Sequence, residues 1–183
     1  EKDPLVQIGI AHYQFEAIHP FLDGNGRVGR LLIPLFLYER KLLSYPLLYI
    51  SEFFEENRDM YYALLNDVRL KGDWTSWLNF FLDAVSEESG KTQATVLKIL
   101  DLHKKLTQEV MADGSANAVA LLDIIFATPA VSFVSIKERL KAKSNQTIYN
   151  LLDKFMEKGI LKEIPGKKRN KVYVFRQLME ILK

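Results

Sequence analysis

The chain has 183 residues, of which 48% are hydrophobic and 26% charged, a composition that buries a core and excludes a disordered tail. No stretch approaches the roughly 18 apolar residues of a membrane span, and the start, EKDPLVQIGI, lacks the layout of a signal peptide. The absence of cysteine excludes disulfides, thiolate metal sites and cysteine nucleophiles, and it fits a reducing, cytoplasmic setting.

The formal charge of +2 conceals a polarity, since residues 1–114 carry 12 Lys/Arg against 17 Asp/Glu while residues 115–183 carry 13 against 6. That split predicts a separate basic module with a boundary near Gly114, suited to nucleic acid or to an acidic surface.

In chain order, Val6, Ile10, Phe15 and Ile18 recur at helical spacing, and a second helix is expected from about Arg27 with Leu31, Leu32, Leu35 and Phe36 on its apolar stripe. Pro34 is a candidate kink. Ser51 is placed to cap a third helix running through Phe54, Tyr61, Leu65 and Val68 to a stop at Gly72. Asp73 caps a fourth, with Trp74, Trp77, Leu78, Phe81 and Val85, and a fifth is expected from about Thr92 through Val96, Ile99, Leu106 and Val110 to the turn DGS. Beyond it come a helix around Leu121 to Phe126, a short one capped by Ser135, and a third from Ser144 to Lys158 closed at Gly159. Two β-prone runs, Ile160 to Ile164 and Val172 to Phe175, flank PGKKRNK. Three helices and a basic-tipped hairpin predict a winged helix-turn-helix.

Chemistry concentrates in HPFLDGNGRVGR, His19 to Arg30. Gly24 and Gly26 permit backbone that turns successive N–H groups inward, and the loop leads straight into a helix N-terminus, which together make a phosphate cradle. Arg27 and Arg30 sit where the positive end of the helix dipole disfavours cations, by about 0.3 to 1 kcal/mol, so a bound polyphosphate is the expected compensation. Asp23 is suited to a magnesium ion bridging phosphate oxygens, and His19 is the nearby group that takes a proton at neutral pH. Each of these residues alone fits a structural histidine, a turn or a solvated face; their combination in twelve positions does not.

The stretch resembles, without a gap, the HPFxDGNGRxxR signature of the Fic family, and EAIHPF, LYISEFFEENRDMYY and GDW extend the likeness over residues 5 to 90. The resemblance implies a mainly α protein: an all-α Fic core over residues 1–90, a linking helix over 91–114 and the winged helix-turn-helix over 115–183. It implies transfer of AMP from Mg-ATP to a Ser, Thr or Tyr hydroxyl of a target protein. His19 is then the general base, Asp23 the Mg2+ ligand, and Gly24, Asn25 and Gly26 the anion hole. Arg27 grips the β and γ phosphates, Arg30 the γ phosphate, and Phe21 anchors the loop in the core. Relatives named Doc, which transfer phosphate, usually carry lysine where this chain has Gly26. Asn57, Tyr61 and Tyr62 resemble residues near the nucleotide.

The family's flap hairpin and its inhibitory Ser/Thr-x-x-x-Glu-Gly/Asn pattern have no counterpart in the sequence, so the chain is expected to be a C-terminal piece of a longer protein. In the basic module, Asn145, Gln146 and Asn150 are expected to face outward for base edges, and Lys167, Lys168, Arg169 and Lys171 to meet backbone phosphates. Protein docking is the competing role, and a homodimer stays open. The alternative to an AMP-transferring enzyme is a nucleotide-sensing, DNA-binding regulator.

Overall fold

The computed structural model describes residues 3–112, 115–142, 144–164 and 171–182. The chain is mainly α and divides into two compact units, Glu1–Ala94 and Thr95–Lys183.

In the first unit, α1 (Pro4–Ile18) starts where the Asp3 side chain accepts the Leu5 N–H at 2.8 Å, and α2 is Asn25–Glu39. The single long helix expected next is two: α3 (Ser51–Glu56) and α4 (Arg58–Lys71). Asn57 separates them, because its side-chain amide donates to the Phe53 carbonyl at 2.9 Å, the competition that keeps asparagine out of helix interiors. Ile50, not Ser51, occupies the N-cap position of α3, and no side chain caps that end. Gly72 closes α4 in the left-handed conformation, φ 69°.

The fourth and fifth expected helices are one, α5 (Trp74–Met111), 38 residues long. Gly90 costs a helix only about 1 kcal/mol relative to alanine, and Lys91 braces the same turn through Glu87 at 3.0 Å and Glu88 at 2.8 Å. Ion pairing and length carry the helix through the glycine. The division between the two units therefore falls within α5, and Gly114 lies outside the described residues.

Trp77 and Phe81 of α5 are fully buried against Ile33 and Leu37 of α2 and Ile50. The Trp77 indole N–H donates to the Gly9 carbonyl of α1 at 3.0 Å, so the largest core side chain also satisfies its polar atom. This core fixes α1 and α2 at the angle that presents the loop between them.

The second unit contains α6 (Ala116–Ala127), β1 (Ala130–Ser132), α7 (Phe133–Leu140), α8 (Asn145–Glu157), β2 (Lys162–Glu163), β3 (Val172–Val174) and α9 (Arg176–Ile181). The strands form one antiparallel sheet in the order β1-β3-β2, with Ala130 opposite Val174 and Lys162 opposite Val174. Ile125, Ile136, Ile148, Phe155 and Phe175 form its core at zero exposure. The cap of α7 is Ser132 rather than Ser135: the two serines exchange hydrogen bonds in a capping box, with Ser135 in the third helical position. Ser144 caps α8 by accepting the Gln146 N–H at 3.2 Å, and Gly159 follows at φ 68°.

Gly90 has ordinary helical backbone, and a Cβ added there meets no atom within 4 Å. Gly90→Ala is expected to raise stability by about 0.5–1 kcal/mol, read as an upward shift of the denaturation midpoint.

Candidate active site

Helix α1 ends because Pro20 disfavours helical backbone at the residue before it. His19 takes the left-handed conformation instead (φ 52°, ψ 58°), and its N–H closes the helix on the Phe15 carbonyl at 3.0 Å. The chain then turns through residues 19–24, and Gly24, at φ 84°, opens α2.

One side chain holds this loop. Asn25 is buried, and its Oδ1 accepts the Phe21 N–H at 2.8 Å while its Nδ2 donates to the Phe21 carbonyl at 2.6 Å. The Phe21 ring is 51% exposed, contrary to the expectation that it anchors the loop in the core. The anchored part of Phe21 is its backbone. The asparagine side chain is thereby committed, which leaves its backbone N–H for any ligand.

No side chain caps α2 and no acid lies in its first turn, so the amides of Asn25, Gly26 and Arg27 point outward without an intrahelical partner. The Gly24 N–H is taken by Asp23 Oδ1 at 2.7 Å. The other Asp23 oxygen lies 3.5 Å from Arg27 Nη2, a pair with both side chains largely in solvent and of little energetic worth. Arg30 is more enclosed and folds back, so that a Cβ at Gly26 would lie 3.2 Å from its Nη1. Glycine at position 26 therefore leaves room for Arg30 itself, and a lysine there would displace the guanidinium.

His19, Asp23, Gly24, Asn25, Gly26, Arg27 and Arg30 all line one cavity of about 340 Å³, whose opposite wall is Phe54, Glu55, Arg58, Tyr61 and Tyr62. Asn57 is not among the lining residues, its amide being spent on the Phe53 carbonyl. Tyr62 is half-exposed with the Arg58 guanidinium 5.9 Å from its ring centre. Tyr61 is buried and hydrogen-bonded behind the wall.

Its partner is His12, a residue to which the signature gives no weight. The ring lies among Phe54, Tyr61, Trp77 and Phe81, with Nδ1 3.1 Å from the Gly29 carbonyl and Nε2 3.0 Å from the Tyr61 hydroxyl. A carbonyl only accepts, so Nδ1 carries the proton and Nε2 accepts from Tyr61. Burial, aided by the Arg30 charge and opposed by the Gly29 hydrogen bond, lowers the His12 pKa to about 4. Burial likewise pushes the Tyr61 hydroxyl well above its ordinary value. A neutral, doubly bonded imidazole thus ties α4 to α2.

In the second unit Asn145, Gln146 and Asn150 are exposed on α8, and the Gln146 Nε2 donates to Asn150 Oδ1 at 2.8 Å. Lys171 pairs with Glu163 at 2.9 Å. Lys167, Lys168 and Arg169 lie outside the described residues.

Residues 1–37, which hold the entire loop, match the model of the Fic/DOC family. Over these residues the chain is similar to the Fic/DOC family. Protein adenylyltransferase fic-1 of Caenorhabditis elegans is 31% identical over 115 residues, covering 63% of this chain and 20% of that protein. Its counterpart in Caenorhabditis briggsae is 36% identical over 118 residues, 64% of this chain and 20% of that one. Protein adenylyltransferase Fic of Aedes aegypti is 32% identical over 111 residues, 61% and 21% respectively. A crystal structure of a Fic family protein from Desulfovibrio desulfuricans G20, 26% identical, covers 96% of this chain and 50% of its own, with a TM-score of 0.47. The chain spans about a fifth of the length of these curated Fic relatives. No helix among the described residues is long and apolar enough to cross a membrane.

The buried imidazole of His12 sets a pH dependence. Unfolded, His12 protonates near 6.5; folded, only near 4. Between those values the unfolded chain holds the extra proton, so stability rises with pH. It is complete above about pH 6.5, and on the order of 3 kcal/mol is lost as the pH falls to 4. Urea midpoints followed by fluorescence of Trp74 and Trp77 at stepped pH are expected to show this slope, and His12→Gln to remove it.

Proposed function

We propose that the protein transfers AMP from ATP to a hydroxyl side chain of a target protein. The observation that carries this is the convergence of an imidazole, an uncapped helix N-terminus and two arginines on one cavity. The similarity to protein adenylyltransferases supports the same reaction.

In this scheme His19, exposed at the cavity mouth, accepts the proton of a Ser, Thr or Tyr hydroxyl. The oxygen bonds to the α-phosphorus of ATP as the bond to the α–β bridging oxygen breaks, and pyrophosphate leaves. The free amides of α2 and the guanidinium groups of Arg27 and Arg30 bear the negative charge that the leaving group gathers. Tyr61 and Tyr62 bound the cavity on the other side. Asp23 is the residue that would hold Mg2+. Its carboxylate is solvent-exposed, and magnesium bound beside phosphates needs only one or two protein carboxylates. When bound, the ion neutralises phosphate charge and helps orient the triphosphate.

For the second unit we infer a duplex-DNA surface. Three helices with a three-stranded sheet suit a winged helix whose α8 would enter a major groove, and the Gln146–Asn150 bond leaves one amide oxygen and one amide N–H₂ unspent, the combination that meets an adenine edge. A regulator that senses nucleotide through the first unit is the alternative this surface favours.

With the natural full-length protein and a lysate of possible targets, label from α-labelled ATP is expected to become protein-bound while label from γ-labelled ATP does not. His19→Ala is expected to lower that incorporation by about a hundredfold or more. Incorporation unchanged in His19→Ala, or transfer of the γ label, would overturn the scheme. Fluorescence anisotropy with duplex DNA tests the second surface: Gln146→Ala and Asn150→Ala are expected to cost about 1–3 kcal/mol at a preferred sequence and little on random duplex.

A further inference from the structure

Two buried polar atoms, one on Arg30 of the phosphate cavity and one on Glu16 of a neighbouring cavity that shares Tyr62 with it, have no role in the scheme above. Arg30 Nε is a buried donor without a hydrogen-bond partner, and Glu16 Oε1 is a buried acceptor without one. Glu16 belongs to the last full turn of α1, three residues before His19, and its carboxylate is seated directly on the Cα of Gly29. Any side chain at position 29 would strike that carboxylate and the Phe15 ring, so glycine there creates the seat. Arg30 is the next residue.

The two groups feel each other. Burial raises the Glu16 pKa, and the Arg30 charge followed by that of His19 pulls it back. Glu16 and Arg30 form no ion pair in the structure, and a single water between the carboxylate and the guanidinium would close both deficits. The guanidinium is a planar fork, so the nitrogen that faces Glu16 decides which edge remains. With Nε held by Glu16, Nη1 and Nη2 would be left for the cavity; in the structure Nε is buried and Nη1 lies over Gly26. That edge is the one that binds a phosphate in bidentate fashion.

We propose that Glu16 is the positioning residue of the phosphate site, holding Arg30 from behind so that its two terminal nitrogens face the cavity. The proposal rests on the reading of that cavity as a triphosphate site. Glu16 acts through Arg30, and its carboxylate repels the anion that Arg30 attracts, so its contribution is orientation rather than charge. Glutamine, which keeps the acceptor and loses the charge, can therefore replace it. Aspartate, which keeps the charge and loses the reach, cannot.

The test is calorimetric titration of the natural full-length protein with inorganic tripolyphosphate in EDTA, alongside thermal melts. Glu16→Ala and Glu16→Asp are expected to weaken binding about tenfold, the worth of one hydrogen bond to a charged group, and Glu16→Gln to bind within about threefold of the wild type. In an Arg30→Ala background Glu16→Ala is expected to cost nothing further, whereas in an Arg27→Ala background its full loss is expected to persist. Equal losses in both backgrounds, wild-type affinity in Glu16→Ala, or Glu16→Gln as weak as Glu16→Ala would overturn the proposal while leaving the phosphate site standing. Wild-type protein that does not bind tripolyphosphate would remove both. Should Glu16→Ala melt below the assay temperature, the contrast of Glu16→Asp with Glu16→Gln decides.

Discussion

The double hydrogen bond between the Asn25 side chain and the Phe21 backbone is the constraint on which the site depends. A six-residue connection between two helices has no ladder of its own, and its amides would otherwise turn to water. By taking both the donor and the acceptor of one residue, Asn25 fixes the turn, with Asp23 adding one bond to the Gly24 N–H. His19 stays exposed at the surface, and the amides of the next helix turn stay unclaimed. Buried polar groups that are fully satisfied rigidify the structure around them.

A second seam holds the walls of the cavity together. His12 joins the Gly29 carbonyl of α2 to the Tyr61 hydroxyl of α4 from inside an aromatic cage, while Gly29 accepts the carboxylate of Glu16 on its other side. One glycine therefore serves two contacts, of which a side chain would prevent the one with Glu16. The geometry of Arg30 follows from this packing, because the residue before it cannot move away from α1 without breaking both. The loop is shaped locally; the arginine is aimed by the core.

The loop residues, the mainly helical class and the glycine stops at 72 and 159 were legible in the sequence, because each is a local event: a signature, a period, or a backbone angle that favours glycine. What was not legible depended on partners. The strand β1 has three residues and exists only by pairing with β3, so no period of two announces it. The break at Asn57 turns on whether one amide bonds backwards, and the passage of α5 through Gly90 turns on charges a turn away. Phe21 differs from its sequence expectation for the same reason: a large ring beside a motif suggests burial, yet the backbone is the held part. His12 and Glu16 escaped notice because their roles appear only when α1 is laid against α2.

The missing cap at Gly24 has a thermodynamic corollary. A serine or aspartate cap would contribute a few tenths of a kcal/mol more than this glycine to the helix it opens, and this molecule forgoes it. The deficit is made good only when an anion arrives, so occupancy and folding of the first unit draw on the same free energy. Ligand saturation should then register far from the mouth of the cavity, as slower opening of the amides in α2 and a higher melting point that climbs with the logarithm of ligand concentration.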